Sequence, residues 1–337
     1  HSTNITAALS AGGGNSYSFT DNYEYVRSYI EDADLALCNV ETTFRGGQPH
    51  GYPTFNAPDE LAYALADVGF DVGITSNNHM MDTGFDGMQR TLEVLRNQGM
   101  TTVGSRYAGE DTWSLIEKNG LKIGLVAYTY ESPMTASGAV SINGNYVSKE
   151  AAELINSFNT DEMEEDLGKI TADIKSAKEA GADIVVCYMH WGNEYQREPN
   201  DDQIRLAQSL ADGGADIIFA SHPHVLQKVD TLNAADGRNV PVFYSMGNFI
   251  SNQRTETLPS IANKRYTEQG MMAVVDLSVM KSTGEIIEQT VKVIPTWVDR
   301  YGSPVKYSII PLDQKMDSNE VLKTSGHLDR AREALSD

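Results

Sequence analysis

Cysteine is almost absent from this chain: Cys38 and Cys187 are the only two in 337 residues. One disulfide at most can form. Both fall inside expected buried strands, where free cysteine is common, so they read as buried thiols and leave the redox compartment open. Long apolar runs are also missing, and none approaches the ~20 residues of a membrane-spanning helix. Cations are scarce, with 26 Lys and Arg against 47 Asp and Glu, a formal net charge of -21. That balance argues against nucleic acid as a partner and against simple adsorption to anionic lipid. It also repels a polyanion at long range, although screening over about 8 Å at physiological salt softens the effect. An anion site must therefore be locally positive, as a metal centre is. No tandem repeat and no dividing linker is found. No methionine or signal segment precedes His1, and the chain is expected to be cut from a longer precursor behind a secretory or anchor segment.

The remainder is ordinary for a globular protein, at 40% hydrophobic and 22% charged residues. The length allows one large α/β domain or two smaller ones, and one domain with mixed strands and helices is expected. A single pattern organises it. A short apolar run, entered through a Gly/Ala-x-Asp or Ala-Asp turn, ends in residues that ligate metals. Residues 33–38 lead into Asn39-Val40-Glu41, 69–76 into Asn77-Asn78-His79, 181–189 into His190-Trp191-Gly192, and 213–221 into His222-Pro223-His224. Function in α/β sheets collects beyond the carboxyl ends of strands. Pro223 biases His222 towards an extended conformation. Residues i and i+2 of an extended chain face the same way, so His222 and His224 are expected to face one site.

Between these runs, residues 1–20 read as a polar, Gly-rich loop, and 21–32, 59–68, 85–98, 161–180 and 202–212 as helices. A long loop at 42–58 lies close to Glu41; loops of that length are often functional. Strands are expected at 34–38, 71–76, 121–128, 183–189 and 240–246. Residues 131–160 are irregular and polar, an insertion near the site mouth that could act as a lid. Residues 271–280 and 285–297 look like a hairpin around Ser282-Thr283-Gly284, and a final helix is expected near 319–335.

The strand ends suggest a two-metal hydrolytic centre. Imidazole and carboxylate suit Zn, Mn or Fe, and two such ions can clamp an anionic centre during in-line displacement. Glu41 can bridge, and Asn78 can ligate through its amide oxygen without adding charge. His79 need not be a ligand; it can protonate a leaving group or stabilise developing charge. Asp82 could hold the His79 ring in one tautomer or cap the helix at 85–98. Glu194 is a candidate for substrate contact or ligand support. His50 and His327 read as surface or satisfied residues.

The motif set Asn39-x-Glu41, Asn77-Asn78-His79-x-x-Asp82-x-Gly84, His190-Trp191-Gly192-x-Glu194, His222-Pro223-His224 and Tyr244-Ser245-x-Gly247-Asn248-Phe249 resembles that of the CapA-type poly-gamma-glutamate capsule biosynthesis proteins. Those form a branch of the calcineurin-like metallophosphoesterases, and the resemblance runs from about residue 1 to 252. It implies an α/β, four-layer metallophosphoesterase-like fold: two mixed β-sheets packed face to face and flanked by helices. One domain would span 1–310, with a helical extension at 311–337. By resemblance, Asn78, His190, His222 and His224 match metal-ligand positions, Glu41 the bridging-acid region and His79, with Asp82, the catalytic position. His1, Asn39, Glu194 and Asn248 would contact substrate or support ligands. The family opens with a strand ending in Gly-Asp, whose Asp is a ligand; His1 looks like the histidine a few residues after it.

The resemblance implies two divalent ions and an anionic polymer or phosphoester substrate. It also implies an extracytoplasmic setting, with membrane anchorage through a segment outside this chain and contact with membrane-bound capsule synthesis machinery. The reaction expected is hydrolysis of a phosphoester or a gamma-glutamyl bond. The alternative is a non-catalytic polymer-binding or assembly factor of the envelope, and a weaker third reading is a structural envelope protein without metal.

Overall fold

The aspartates that open the apolar runs tie neighbouring strands together at their entry ends. Asp71 Oδ2 accepts the Ala36 amide at 2.8 Å, Asp183 Oδ2 that of Lys122 at 2.8 Å, and Asp216 Oδ2 that of Val185 at 2.8 Å. Each carboxylate satisfies an N–H that the ladder leaves open, so the recurring Asp marks where a strand begins. In this computed structural model, residues 1–133 and 139–336 are described, and every count below refers to them.

Strands β1 (Leu37–Asn39), β2 (Val72–Ile74) and β3 (Thr101–Val103) form a parallel sheet in that order. Around them the chain forms helices α1 (Ser2–Ala11), α2 (Arg27–Glu31), α3 (Glu60–Asp67) and α4 (Gly84–Asn97). A larger, mixed sheet of seven strands follows. It contains β4 (Ser114–Lys118), β5 (Leu121–Tyr130), β8 (Ser157–Phe158), β9 (Ile184–His190), β10 (Ile217–Ser221), β11 (Val229–Asn233) and β12 (Asn239–Phe243). Its order is β11-β12-β10-β9-β5-β4, with β8 beside β5. A small ribbon, β6 (Ser141–Ile142) with β7 (Asn145–Tyr146), and helix α5 (Lys149–Ala152) interrupt it, and helices α6 (Met163–Glu179) and α7 (Asp201–Asp212) connect its later strands. Strands β13 (Gln269–Met280), β14 (Glu285–Tyr301) and β15 (Lys306–Pro311) make an antiparallel sheet, followed by α8 (Glu320–Ser325) and α9 (Leu328–Ala334).

Strand alternation divides the core. Along β9, Val185, Cys187 and Met189 join Ile170, Ile174, Leu206 and Leu210 of α6 and α7 in one cluster. Ile184, Val186 and Tyr188 point the other way and share a cluster with Val72, Ile74 and Val103 of the first sheet. Buried on both faces, β9 therefore reads as a continuous apolar run. The first sheet's far side packs Leu65, Val68, Leu95 and Met100. A fourth packing group sets Leu322 and Ala331 of α8 and α9 on Trp297 and Ile310.

β1 pairs only with β2 and lies at the edge of its sheet; β13 lies at the edge of its own. Beyond Met271, whose amide bonds Met246 O at 3.0 Å, no backbone pairing is seen on the free side of β13. Both strands line one cavity of about 1540 Å³, walled by Leu35, Leu37, Ile123, Phe219, Val275 and Leu277.

Several expectations need correction. Residues 2–11 are a helix, because Ala7, Ala8 and Leu9 outweigh the polar residues around them and the glycines act only after Ala11. The expected helix over 21–32 is broken into a 3-10 turn, Thr20–Tyr23, and α2. The runs at 34–38 and 71–76 yield strands of only three residues. The final helix is two, separated by Gly326 at φ 78°. Of the two sheets expected to be mixed, the second is; the first is wholly parallel. Residues 139–160 carry β6, β7, α5 and β8, while Gly138, read as part of a lid, lies outside the described residues. The hairpin β13–β14 forms as expected, with Gly284 at φ 71°. Both cysteines are free.

Candidate functional site

The carboxyl ends of β1, β2, β9 and β10 open onto one end of the cavity. Asn39, Glu41, Asn78, His79, Ser221, His222 and His224 all line it. His190, the last residue of β9, is fully buried just behind them. The expected extended His222 is not found: its φ is 104°, and that of His224 is 57°. Positive φ at non-glycine residues costs of order 1–3 kcal/mol each and persists only where surroundings enforce it. Here the amide of Trp191 bonds Ser221 O at 3.2 Å and that of Tyr195, itself at φ 64°, bonds Pro223 O at 2.7 Å. The two histidines meet the site through this bent loop, with ring centroids 6.1 Å apart.

Three imidazoles have Nδ1 engaged. His190 Nδ1 is 3.0 Å from Ser221 Oγ, His224 Nδ1 3.0 Å from Asn248 Oδ1, and His79 Nδ1 2.7 Å from Asp82 Oδ2. Asp82 Oδ2 also accepts the Phe55 amide at 2.5 Å, and the Phe55 ring lies edge-on to His79 at 4.4 Å. Asp82 is therefore the orienter of His79; Thr83 occupies the cap position of α4. His222 differs: its Nδ1 is buried without a partner. His190 Nε2 lies 3.0 Å from Asn78 Oδ1. His224 Nε2 is 3.8 Å from Glu41 Oε1 and 3.9 Å from Glu194 Oε1.

Burial, and then the neighbouring imidazoles, hold His190 well below the ordinary histidine pKa and push His222 down to about 3. Both are neutral at pH 7 and carry a lone pair. Tyr130 ends β5, stacks parallel to His190 at 6.4 Å and lies 4.7 Å from His222. Burial first, then Glu194 and Glu41, raise its pKa, keeping the phenol protonated.

Among the described residues, no group of three His, Cys, Asp or Glu side chains stands ready as a metal cage. Asn78 Oδ1, His190 Nε2 and the partnerless His222 Nδ1 are the groups that could hold an ion. Glu41 and His224 lie alongside and could hold a second.

All of the residues expected at metal positions are brought together. Asn39 is bonded to Glu41 and Asn248 to His224, while Glu194 stands half-exposed at the rim. His1 lines the cavity and packs 5.6 Å from Phe55, but its Nε2 faces Ser251 at 3.3 Å, not a candidate ligand. His50 is exposed, with Nδ1 on Thr54 O at 2.8 Å, and His327 bonds the buried Asp299 at 2.6 Å. Sequence reasoning missed Tyr130, Ser221 and Phe55. The first two are polar residues that close an apolar run, a signal already used for His190.

Comparison with known proteins decides the family. Residues 2–253 match the family described as bacterial capsule synthesis protein PGA_cap. The chain belongs to it. The capsule biosynthesis protein CapA of Bacillus anthracis is 28% identical over 272 residues, covering 78% of this chain and 62% of that protein. The PGA biosynthesis protein CapA of Bacillus subtilis (strain 168) is 34% identical over 197 residues, covering 58% and 46%. The chain thus spans roughly half the length of these CapA relatives. A crystal structure of a hypothetical protein from Thermus thermophilus superposes over 80% of this chain and 90% of its own, with 14% identity and a TM-score of 0.45.

Proposed function

We propose that this PGA_cap member is a metal-dependent hydrolase in the making of a poly-gamma-glutamate-type envelope polymer. In this reading it cleaves a phosphoester or a gamma-glutamyl bond of an anionic substrate, outside the cytoplasm and beside membrane-bound synthesis machinery. A four-layer metallophosphoesterase-type arrangement belongs to the same reading. The observation that carries it is the meeting of Asn78 Oδ1 and His190 Nε2 at 3.0 Å beside the buried, partnerless Nδ1 of His222. Three neutral donors, with the His222 ring 4.9 Å from that of His190, suit Mn, Fe or Zn.

Asn78, His190 and His222 would hold one ion, and Glu41 and His224 a second. Bound ions would supply an activated hydroxide and positive charge for an anionic substrate. That local charge answers the repulsion expected from a chain of net charge -21. His79, its Nδ1 fixed by Asp82, presents Nε2 as the atom that hands a proton to the leaving group. Phe55 and Tyr130 form apolar walls that limit water around these groups.

The test is elemental analysis of the purified protein, together with hydrolysis of a phosphodiester and of gamma-linked polyglutamate. One to two equivalents of Mn, Fe or Zn, lost in His222→Ala/His224→Ala, with turnover that falls about 10²–10⁴-fold in His79→Ala, are expected. Absence of bound metal and of turnover on both substrates would overturn the proposal. A second reading, a non-catalytic polymer-binding or assembly factor, is favoured by the lack of any three-residue His, Cys, Asp or Glu cage among the described residues. Polymer binding that survives His79→Ala without turnover would select it.

A further inference from the structure

An asparagine amide accepts at one end and donates at the other, so its contact with an imidazole decides where the ring proton sits only if the amide cannot turn over. Asn248 meets that condition. Its Nδ2 donates to two main-chain carbonyls, Thr267 O at 2.9 Å and His224 O at 3.2 Å, and to Gln253 Oε1 at 3.3 Å. A turned amide would set its oxygen against both carbonyls, which can only accept. Asn248 is buried, which makes an unmet polar group there costly. Oδ1 therefore faces His224 Nδ1, 3.0 Å away, and accepts. The proton at that contact belongs to the imidazole.

The start of β13 seats this amide. The main-chain N–H of Asn248 donates to Gln269 O at 3.1 Å, and Gly247 bridges Gly270. Gly270 has no side chain where the Asn248 carbonyl passes; a Cβ there would collide with that oxygen. We propose that Asn248 is a positioning residue that keeps the His224 proton on Nδ1, and that residues 267–270 are the seat that aims it, so that the third sheet takes part in the site. The consequence lies at the far ring nitrogen. In the neutral ring Nε2 keeps its lone pair, with Glu41 Oε1 3.8 Å and Glu194 Oε1 3.9 Å away. With the proton on Nε2 instead, the ring would meet those carboxylates as a donor, and its own hydrogen bond would fill the position. A ligating imidazole commonly has its other nitrogen held as a donor in this way. The purpose of the arrangement rests on the metal reading; the tautomer exists without metal.

The test uses metal-free protein labelled with ¹⁵N-histidine, at alkaline pH where the ring is neutral, with the His224 resonances assigned through His224→Gln. Mn²⁺ binding is followed by calorimetry at neutral pH. Wild type should show the His224 proton on Nδ1. Asn248→Ala should release it to a mixture with the Nε2–H form and weaken Mn²⁺ binding about 10–100-fold. Asn248→Asp, whose carboxylate can only accept, should keep the proton on Nδ1. Gly270→Ala, which displaces the Asn248 carbonyl, should shift the tautomer in the same direction as Asn248→Ala. It reads the same equilibrium with the asparagine in place, so the test survives an Asn248→Ala protein that does not fold. A wild type with the proton on Nε2, or an Asn248→Ala protein whose tautomer is unchanged, overturns the proposal. A Gly270→Ala protein with the wild-type tautomer overturns the part given to the third sheet. If the tautomer responds as stated while wild type binds no Mn²⁺, the positioning role stands and the metal reading falls.

Discussion

His222 and His190 are neutral because burial denies them a proton, and that sets a pH dependence. An unfolded histidine titrates near 6.5, whereas His222 in the fold is held down to about 3 and His190 is also well below its ordinary value. Below pH 6.5 the unfolded chain takes up protons that the folded chain refuses, so stability is fully present above that pH and falls as pH drops. Each group contributes a slope of about 1.4 kcal/mol per pH unit. Urea midpoints of the metal-free protein at pH 7.5 and pH 5 should differ accordingly, and His222→Asn should remove about 2 kcal/mol of that difference. At the same scale, Asp82 Oδ2 receives both the His79 ring and the Phe55 amide. Asp82→Asn should lower turnover about 10²-fold while Mn²⁺ affinity holds, since only proton handling at His79 is disturbed; kinetics beside calorimetry would check both. His190, Asn78 and Glu41 were legible because a polar residue after an apolar run has little reason to be there except chemistry. Ser221 and Tyr130 were passed over: Ser221 is followed at once by His222-Pro223-His224, which drew the reading, and Tyr130 lies beyond the run expected as a strand over 121–128.

Elements position these residues through close approaches that the sequence marks only with glycine. Gly104, at φ 109°, follows β3, and a Cβ there would stand 2.5 Å from the amide nitrogen of Ser76. Ser76 leads directly into Asn77 and Asn78. Gly104→Ala should destabilise the protein by about 1–3 kcal/mol through backbone strain, read as a lower denaturant midpoint, and should weaken metal binding because the asparagine loop is displaced. Helix α7 begins with a complete capping box, in which Asn200 accepts the Gln203 amide at 2.9 Å and Gln203 Oε1 the Asn200 amide at 3.0 Å. Asn200→Ala should cost about 1 kcal/mol of stability, measurable by thermal melting. Strong periodicity made α4, α6 and α7 legible, and an unbroken apolar run made β9 so. Helix α1 is hidden in the sequence because the three glycines that suggest a loop over its length only terminate it, and α8–α9 read as one helix because their apolar pattern carries across Gly326. The bent loop at His222 lay beyond pattern: Pro223 restricts its predecessor, but tertiary bonds to Trp191 and Tyr195 choose which restricted conformation is taken.

For the molecule as a whole, net charge of -21 keeps copies apart at low ionic strength, and this shapes what the free margins of β1 and β13 can do. A strand with one side unpaired is a template for another chain, and here two such margins flank a single apolar cavity. Long-range repulsion is the barrier that holds them from strangers, and it thins as salt shortens its reach to about 3 Å at 1 M. Light scattering should therefore report growing mass as sodium chloride is raised, with infrared absorption of intermolecular β-structure growing alongside, and Val275→Lys on β13 should suppress both. Colloidal behaviour in this protein is then governed less by its surface than by an adhesive seam inside it, guarded by electrostatics.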